Sequence, residues 1–358
     1  MIKIKCMWIK DFIKFKLLTK MRYTESKVFL NFASLFKLIN LTKLFVSFLY
    51  SRLKNNAKII GHPIALSIEP TTTCNLGCPE CPSGLKQFSR KTGNLTIELN
   101  KKIIDQLFKK VAYINYYFQG EPYINSSFFE FVKYANSKKI FCSTSTNGHF
   151  LNDRNCQKTI ESGLKRLIIS IDGNDQKTYE MYRKKGNYDR VIKGTENIIK
   201  WKQKLNSQYP HIIFQFLVVK PNEHLVEDMK LLSKKLGVNE FRIKTAQFYD
   251  FKNGNSLMPE NQKYSRYVKK KNGEYYLKNN FKNHCWRMWS SAVITVNGEL
   301  VPCCFDKDAK HKIGNLKKQS FNDIWFGKHY NHFRNQILNK REEIDICKNC
   351  SEGSKIWA

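Results

Sequence analysis

Three cysteines lie close together in the segment Thr72 to Gly84, TTCNLGCPECPSG. Cys74, Cys78 and Cys81 follow one another at intervals of four and three residues, a spacing that predicts a metal centre. A structural zinc site or a saturated iron–sulfur cluster takes four ligands. The segment therefore predicts metal binding and raises the question of why it has three ligands.

The elements that must position these cysteines are short β-rich runs alternating with helical runs. This alternation predicts an α/β fold on a parallel sheet, curved or closed. Helices are predicted from Thr96, Ser127 and Glu223, through Ile160, and between Gln176 and Leu205. The six predicted strands begin at Ile64, Ala112, Ile140, Arg166, His211 and Glu240.

Polar, glycine-bearing segments follow the predicted strands. The cysteine loop follows the first strand, and QGEP, STNG and SIDG, which end at Pro122, Gly148 and Gly173, follow the next three. Loops at the carboxyl ends of parallel strands collect active sites. We therefore expect these four segments to line one mouth of the sheet.

The Cys-x3-Cys-x2-Cys loop, with Gly120-Glu121-Pro122 after the second strand, resembles the radical S-adenosylmethionine superfamily. The resemblance implies a partial (βα)6 TIM-type barrel in which Cys74, Cys78 and Cys81 hold a [4Fe–4S] cluster with one open iron. S-adenosyl-L-methionine chelates that iron, and an electron from the cluster cleaves it to a 5′-deoxyadenosyl radical. The open iron explains the missing ligand.

The resemblance also implies contacts to S-adenosylmethionine from other strand ends. Backbone groups of the Gly-Glu segment meet the methionine amino group, polar side chains meet the ribose and carboxylate, and an apolar residue packs on adenine. The matching residues are Gly120, Glu121, Thr146, Asn147, Ser170, Arg183 and Val219. Two alternatives stay open: Gly148 and Gly173 as simple turn glycines, and Arg183 as a solvated helix charge.

One residue departs from the family pattern. The position before the third cysteine is usually aromatic and packs near adenine, whereas this chain has Glu80 there. A carboxylate cannot stack in this way, so Glu80 either hydrogen-bonds the adenine amino group or points away.

Four further cysteines fall in the C-terminal part: Cys285, Cys303, Cys347 and Cys350. Cys285 and Cys303, with Gly298 between them, resemble the opening of a SPASM domain, and the C-terminal cysteines fit its shortened, twitch-type version. The resemblance implies that the four cysteines bind one auxiliary [4Fe–4S] cluster. A zinc site with the same thiolates, and Cys304 replacing Cys303 as ligand, are the alternatives.

Asp306 is the candidate catalytic base, because sulfatase-maturating relatives use an Asp directly after a cluster cysteine. Here the acid is two positions beyond Cys304 and three beyond Cys303. If Cys304 faces the cluster, alternation brings Asp306 to the same face, within reach of a substrate hydroxyl. If Cys303 faces it, Asp306 points away and is a turn acid.

Composition sets the broad class. The chain has 358 residues, 42% of them hydrophobic, which is enough for one large core and a smaller module. The predicted parts are a helical extension over 1–58, a radical core over 59–270 and an iron–sulfur module over 271–358. The chain has 11 cysteines, several of them in metal-type spacings, which favours a reducing cytoplasm. The net charge of +32 is spread along the chain, which argues against nucleic acid as the main partner.

The N-terminal segment is unusually basic. Residues 1–58 hold 13 Lys or Arg against Asp11 and Glu25. Lys37 and Lys43 interrupt any apolar run long enough to span a membrane. One or two basic amphipathic helices are predicted, which either pack on the catalytic domain or contact a membrane surface.

The favoured function is radical oxidation of a small hydroxylated substrate that is a sugar, a cyclitol or lipid-linked. The shortened C-terminal module resembles that of 2-deoxy-scyllo-inosamine dehydrogenase, in which a single auxiliary cluster accompanies alcohol oxidation. A flavodoxin or ferredoxin is the expected reductant. The alternatives are maturation of a ribosomal peptide and a non-catalytic zinc or nucleic-acid binding protein.

Overall fold

The computed structural model describes residues 32, 34–278 and 282–350. Cys6 and most of the basic N-terminal segment lie outside these residues. The first described helix, α1 (Leu35–Lys54), begins at Ser34, whose side chain accepts a hydrogen bond from the Lys37 amide. It ends at Asn55, which adopts the left-handed conformation typical of a helix end.

Six parallel strands form the centre of the fold in the order β1-β2-β3-β4-β5-β6. Their pairing is in register along the sheet, with Leu66 opposite Ile114 and Thr146 opposite Ile169. The six predicted strands are thereby confirmed. Their bounds are β1 (Ala65–Ile68), β2 (Tyr113–Asn115), β3 (Phe141–Thr146), β4 (Arg166–Ser170), β5 (His211–Val218) and β6 (Glu240–Thr245).

Helices connect the strands and cover the outer face of the sheet. Alternate residues of each strand, such as Ile114, Leu167 and Phe214, enter one continuous apolar core with these helices. Residues between them point to the inner face, which carries both polar and apolar side chains. The helices are α2 (Pro82–Leu85), α3 (Ile97–Leu107), α4 (Phe128–Ser137), α5 (Asp153–Glu161), α6 (Gln176–Tyr182), α7 (Tyr188–Lys204) and α8 (Val226–Lys235).

The C-terminal part extends the same sheet. Strand β9 (Ser291–Ile294) pairs in parallel with β1, and β10 (Glu299–Val301) and β11 (Gly314–Asn315) continue antiparallel from it. A small hairpin, β7 (Tyr267–Lys269) with β8 (Tyr275–Leu277), lies apart from this sheet. The remaining helices are α9 (Arg287–Ser290), α10 (Phe321–Trp325), α11 (Lys328–Lys340) and α12 (Asp345–Lys348).

The C-terminal part also shares the main core. Trp289, Trp325 and Tyr330 are fully buried in the same apolar cluster as the barrel strands. This is more burial than a hairpin and a terminal knuckle of this size would achieve alone. The reason is that β9 pairs with the edge of β1, so the C-terminal part extends the barrel sheet and shares its core.

Helix α1 packs on this body through a mixed face. Leu44 and Phe48 enter the core. Asn40 exchanges two hydrogen bonds with the His62 backbone, and Lys37 donates to the Lys139 carbonyl. The predicted packing on the catalytic domain is therefore observed. None of the helices in the described ranges has an apolar stretch long enough to cross a bilayer.

Candidate active site

The cysteine loop leaves the carboxyl end of β1 and ends in α2. Cys74, Cys78 and Cys81 share one apolar cluster with Leu76 and Val219. Burial raises the pKa of Cys74 to about 12, and the nearby Glu121 and the other two thiols act in the same direction. Thiolates here need a strong positive partner, which an iron–sulfur cluster supplies when bound.

The donor set fits a cluster better than a single ion. Within the described ranges, no three His, Cys, Asp or Glu side chains already surround one metal-ion position. A [4Fe–4S] cluster binds each cysteine at a different iron, so its ligands lie farther apart than the thiolates around one zinc. Three neighbouring thiols with no acidic ligand among them are suited to that cluster.

The backbone amides of Gly120 and Glu121 connect the end of β2 to the cysteine loop by hydrogen bonds. The Gly120 amide donates to Ser83 Oγ at 2.9 Å, and the Glu121 amide donates to the Thr73 carbonyl at 2.8 Å. Gly120 has φ +72°, and a Cβ there would collide with the Thr71 carbonyl oxygen. Only glycine fits this close approach without strain.

The Glu121 carboxylate is buried and reaches the third strand end. Its oxygens accept hydrogen bonds from Thr146 Oγ1 at 2.8 Å and from the Asn147 amide at 2.7 Å. Burial raises the pKa of Glu121 to about 7 in spite of these bonds. The side-chain Nδ2 of Asn147 donates to Asn75 Oδ1 at 2.7 Å and lies 3.8 Å from Cys74 Sγ. Two of the predicted strand-end segments thus meet the cysteine loop.

Arg183 is a buried partner of the fourth strand end rather than a solvated helix charge. Its Nε donates to Asp172 Oδ2 at 2.5 Å, and its Nη1 lies 4.0 Å from Cys78 Sγ. Burial opposes the charged form, but Asp172 and then Cys78 raise the pKa of Arg183 well above its ordinary value. The arginine therefore places a permanent positive charge beside the cysteine loop.

Ser170 and Val219 lie where the motifs predict, at the ends of β4 and β5, and both are buried. Val219 packs in the apolar cluster that includes Cys78 and Tyr182. This is a surface on which a flat ring can pack. The contacts of Ser170 and Val219 with S-adenosylmethionine stay predictions.

The Glu80 carboxylate is hydrogen-bonded to another segment of the chain and points away from the predicted adenine position. Its carboxylate accepts hydrogen bonds from the Tyr249 amide at 3.3 Å and from Asn255 Nδ2 at 3.0 Å. The acid thus ties the cysteine loop to the segment that follows β6. The second of the two alternatives for Glu80 is the one observed.

The C-terminal cysteines form a second group. Contact with the Cys304 thiol and burial raise the pKa of Cys303 well above its ordinary value, and Cys285 acts in the same direction. Burial raises the pKa of Cys347 to about 12, with Cys285 and Cys350 acting likewise. Four thiols are thus neighbours and could hold an auxiliary cluster. Arg341 Nη2 donates to Cys350 Sγ at 3.5 Å.

Cys304 contacts the Cys303 thiol but packs in a different apolar cluster. It packs with Phe118, Val293 and Val301 in a separate apolar cluster, and Arg287 Nη1 lies 3.5 Å from its sulfur. Cys303 instead packs against the main core together with Cys285 and Cys347. Of the two alternatives, the geometry favours Cys303 as the member of the four-thiol group.

Asp306 organises the loop after Cys303. Its two carboxylate oxygens accept backbone hydrogen bonds from Lys310 at 2.8 Å and His311 at 2.9 Å. The residue is buried. This is the turn-acid arrangement expected if Cys303 faces the cluster. It gives no support to the prediction of Asp306 as the catalytic base.

Two residues at the site were not predicted. Asp172 accepts from Arg183 and from the Leu217 amide, and Asn222 joins the ends of β5 and the SIDG loop through the Val219 amide and the Asp172 carbonyl. The signal for Asp172 was present in SIDG, where an acid directly precedes the turn glycine. Asn222 has no local signal, because its partners belong to other elements.

Two family models match the chain. The radical SAM superfamily model matches residues 68–243, and the model of the iron–sulfur cluster-binding SPASM domain matches residues 285–351. The cysteine loop and the three other strand-end segments fall in the first, and the four-thiol group falls in the second.

Relatives and solved structures agree with these matches. The mycofactocin maturase of Mycolicibacterium smegmatis is 29% identical over 176 residues, which are 49% of this chain and 43% of that protein. The S-adenosyl-L-methionine-dependent 2-deoxy-scyllo-inosamine dehydrogenase of Niallia circulans is 22% identical over 81% of this chain and 93% of its own length. The chain thus spans less than half of the maturase.

In fold, the crystal structure of Streptococcus suis SuiB bound to S-adenosylmethionine is similar, with a TM-score of 0.59 at 13% identity. The likeness covers 87% of this chain and 77% of that one. The two family models show that the chain belongs to the radical S-adenosylmethionine superfamily and carries a C-terminal SPASM domain.

Proposed function

We propose that the enzyme oxidises an alcohol of a small hydroxylated substrate, a sugar, cyclitol or lipid-linked compound, to a carbonyl. Cys74, Cys78 and Cys81 hold the cluster that binds S-adenosylmethionine. The second cluster is held by Cys285, Cys303, Cys347 and Cys350. When bound, the cofactors supply a 5′-deoxyadenosyl radical that takes the substrate's hydrogen atom and an acceptor for the electron left behind. The substrate also loses its hydroxyl proton, and a flavodoxin or ferredoxin supplies the electron for each cleavage.

The placement of the two cysteine groups carries this proposal. The first group follows the carboxyl end of β1. Strand β10 runs antiparallel to β9, so the chain after Val301 heads toward the amino end of β9, where Cys285 also lies. Cys285 and Cys303 therefore lie toward the other end of the sheet from the first group. In this proposal the substrate binds on the inner barrel face, between the radical source and the electron acceptor.

The inner face carries polar side chains, as a hydroxylated substrate requires. Strand residues that alternate with the buried outer ones point inward. They include Asn115, Arg166, Gln215 and Lys244, whose strand neighbours Ile114, Leu167, Phe214 and Ile243 pack in the outer core. Polar groups at fixed positions orient a polar substrate, whereas an apolar pocket would not discriminate its hydroxyl groups. The near full-length match to a cyclitol dehydrogenase supports the same class.

Anaerobic reconstitution tests the cofactor part. Two clusters correspond to about eight iron atoms per chain, and the Cys74/Cys78/Cys81→Ala variant should keep about four of them. This variant should form no 5′-deoxyadenosine with dithionite. Undiminished cleavage by the triple variant would end the assignment of the first cluster.

Product analysis tests the reaction. A product two mass units lighter than the substrate, with one 5′-deoxyadenosine per turnover, is expected for alcohol oxidation. Peptide maturation is the second candidate, favoured by the similarity to the mycofactocin maturase. A product with the same oxidation state as the substrate, or a modified peptide with no turnover of small alcohols, would contradict the dehydrogenase proposal.

Helix α1 supports a further part of the proposal, contact with an anionic membrane surface. Its inward face holds Lys37, Asn40, Ser47 and Ser51, whereas its outward face is apolar. Leu35 and Leu53, which are 70% and 68% exposed, mark the two ends of this outer stripe. The stripe consists of Leu35, Phe36, Leu38, Ile39, Val46, Tyr50 and Leu53.

Charge points to the kind of surface. No Asp or Glu occurs between Glu25 and Glu69, while the same stretch contains six Lys or Arg. Lys43, Arg52 and Lys54 are exposed on α1 itself. An apolar stripe flanked by basic side chains is the pattern of helices that lie on anionic lipid. A lipid-linked substrate would be met at the same surface.

A further inference from the structure

The turn after β3 carries a buried histidine. His149 directly follows the STNG segment, and only 6% of it is exposed. We infer that His149 is a positioning residue, which fixes the side-chain amide of Asn147 toward the cysteine loop for the binding of S-adenosylmethionine. The inference rests on the proposed function, because it assumes that this cofactor binds at the cluster of Cys74, Cys78 and Cys81. It deepens that function by adding a residue that acts through Asn147.

The backbone N–H of His149 defines the orientation of the Asn147 side-chain amide. It donates to Asn147 Oδ1 at 3.1 Å, and a backbone N–H can only donate. The amide oxygen therefore lies on the His149 side and the amide nitrogen on the other side, where it donates to Asn75 Oδ1 at 2.7 Å. Reversing the amide would lose the bond to Asn75 and would place an N–H group against the His149 N–H.

The imidazole ring of His149 supports the same orientation through its tautomer. Its Nε2 accepts a hydrogen bond from the Asn187 amide at 2.8 Å, so this nitrogen carries no proton. In the neutral ring the proton is then on Nδ1, which lies 3.1 Å from both the carbonyl oxygen and Oδ1 of Asn147. Asn147 Oδ1 therefore has two donors from His149 beside it, the backbone N–H and the ring Nδ1–H.

The surroundings of the ring favour its neutral form. Burial lowers the pKa of His149 below its ordinary value, and Arg190 and Arg183 act in the same direction, whereas the hydrogen bond with Asn147 opposes them. A protonated ring would have N–H groups on both nitrogens and could not accept from Asn187. The neutral ring is the form that makes both contacts.

Neighbouring elements hold the ring in place. The Tyr179 ring lies nearly parallel to it, with 6.5 Å between the two centroids. Asn187 is the N-cap of α7, and its side chain accepts from the Arg190 amide at 2.7 Å. The ring is thus anchored to the start of a helix, and this anchor fixes its contact with Asn147.

Asn147 is the residue through which the third strand end meets two other segments of the site. Its backbone amide donates to Glu121, and its Nδ2 reaches Asn75 and lies 3.8 Å from Cys74 Sγ. Hydrogen bonds from supporting residues keep such a side chain in the orientation that binding needs. His149 should therefore raise the affinity for S-adenosylmethionine, while the three cysteines hold the iron without it.

Equilibrium dialysis of S-adenosylmethionine with the reconstituted full-length enzyme tests the inference. His149→Phe keeps a ring against Tyr179 but removes both ring hydrogen bonds, so the affinity should fall by about 5- to 50-fold with the iron content kept. His149→Asn restores a side-chain N–H group near the position of Nδ1 and should bind within about threefold of the unaltered enzyme. His332→Phe makes the same substitution at an exposed position of α11 and is the matched control.

A double-variant cycle shows whether His149 acts through Asn147. In the Asn147→Ala background the side-chain amide is absent, so adding His149→Phe should change the affinity by less than about twofold. Equal effects of His149→Phe with and without the Asn147 side chain would show a general structural role and would overturn the inference. Unchanged affinity of the single His149→Phe variant, or no recovery with His149→Asn, would overturn it as well.

The tautomer provides a measurement on the apo protein. Nitrogen NMR of protein labelled at histidine should show a His149 ring that is protonated at Nδ1 and unprotonated at Nε2 at neutral pH. The signal is assigned by its absence from His149→Phe. A ring protonated at Nε2, or at both nitrogens, would overturn the inference. Failure of the unaltered reconstituted enzyme to bind or cleave S-adenosylmethionine, with the expected tautomer present, would instead count against the proposed function.

Discussion

Arg90 forms a buried, bidentate ion pair with Glu69: its Nη1 donates to Oε2 at 2.8 Å and its Nη2 to Oε1 at 2.5 Å. Glu69 stands directly after β1 and also accepts the Val296 amide, while Arg90 Nε donates to the Lys307 carbonyl. One ion pair therefore joins the start of the cysteine loop to two segments of the C-terminal part. The radical core and the SPASM domain are linked by hydrogen bonds to this ion pair as well as through the shared sheet.

Breaking this pair should destabilise the whole protein. Arg90→Ala leaves the Glu69 carboxylate buried without its main counter-charge, which costs about 3–5 kcal/mol in comparable buried pairs. Urea denaturation of the apo protein should show this loss. Arg154→Ala, at an exposed position of α5, is the control and should change the unfolding free energy by less than about 0.5 kcal/mol. Equal stability of the two variants would contradict the prediction.

Asp172 is predicted to position Arg183 for S-adenosylmethionine. Asp172→Asn removes the charge that holds the guanidinium beside Cys78, at a cost of about 2–5 kcal/mol if the arginine charge stays buried. Affinity for S-adenosylmethionine should fall by at least about tenfold while the iron content is kept. Equilibrium dialysis with the reconstituted enzyme measures both quantities. Unchanged affinity would contradict the prediction, because it would show that Arg183 keeps its position without Asp172.

Glu121 should make the stability of the apo protein depend on pH. Its folded-state pKa is raised from 4.5 to about 7, so the folded protein binds this proton more tightly than the unfolded chain. The resulting stabilisation is complete below about pH 4.5 and is lost as the pH rises through 7. At about 1.4 kcal/mol per pKa unit, the loss approaches about 3 kcal/mol.

Glu121→Gln removes this titration, so the variant serves as the reference. Between pH 4.5 and 7, the apo wild type should lose stability relative to Glu121→Gln, as measured by urea unfolding at a series of pH values. Parallel pH profiles for the two proteins would mean that Glu121 keeps an ordinary pKa.

Asp306 is predicted to act on stability rather than on catalysis. Its carboxylate satisfies two backbone amides, so Asp306→Asn should cost about 1–3 kcal/mol of unfolding free energy. Loss of a catalytic base would instead slow deprotonation by about 100- to 10,000-fold with full iron content and full stability. Turnover and unfolding measured on the same variant separate the two roles.

The sequence predicts the barrel well because its information is local. Alternating runs define the six strands, and a glycine follows each of the second, third and fourth strands at the mouth. The sequence does not indicate contacts between residues that are far apart in the chain. Asn222 bonds the Asp172 carbonyl across 50 positions, and β9 joins the edge of β1 from more than 200 residues away. Neither pairing leaves a periodic pattern in the chain.

Helix α1 illustrates the same limit. Its apolar residues predict a buried face, yet the face that packs inward is the one carrying Asn40 and Lys37. Those side chains bond carbonyls of residues 62 and 139, which sequence periodicity cannot identify. Because these polar side chains share the inward face with Leu44 and Phe48, many of the helix's apolar side chains are left in the outer stripe.

The outer stripe should bind anionic membranes. Removing apolar area at its centre, with Ile39→Ser and Val46→Ser together, should weaken flotation with phosphatidylglycerol vesicles, because each buried apolar side chain contributes about 1.5–3 kcal/mol. Both side chains point away from the protein, so the variant should keep its fold and iron content. Leu231→Ser, at a 62% exposed position of α8, removes similar area elsewhere and is the matched control.

Charge should matter as well as apolar area. Flotation should be weaker with neutral phosphatidylcholine vesicles and should fall with added salt, since exposed cations such as Lys43 and Arg52 are screened. Equal flotation of the wild type, the Ile39/Val46 variant and the Leu231 variant would remove the membrane proposal. A concentration-dependent dimer that the Ile39/Val46 variant abolishes, without vesicle binding, would assign the stripe to contact with a second copy of the chain.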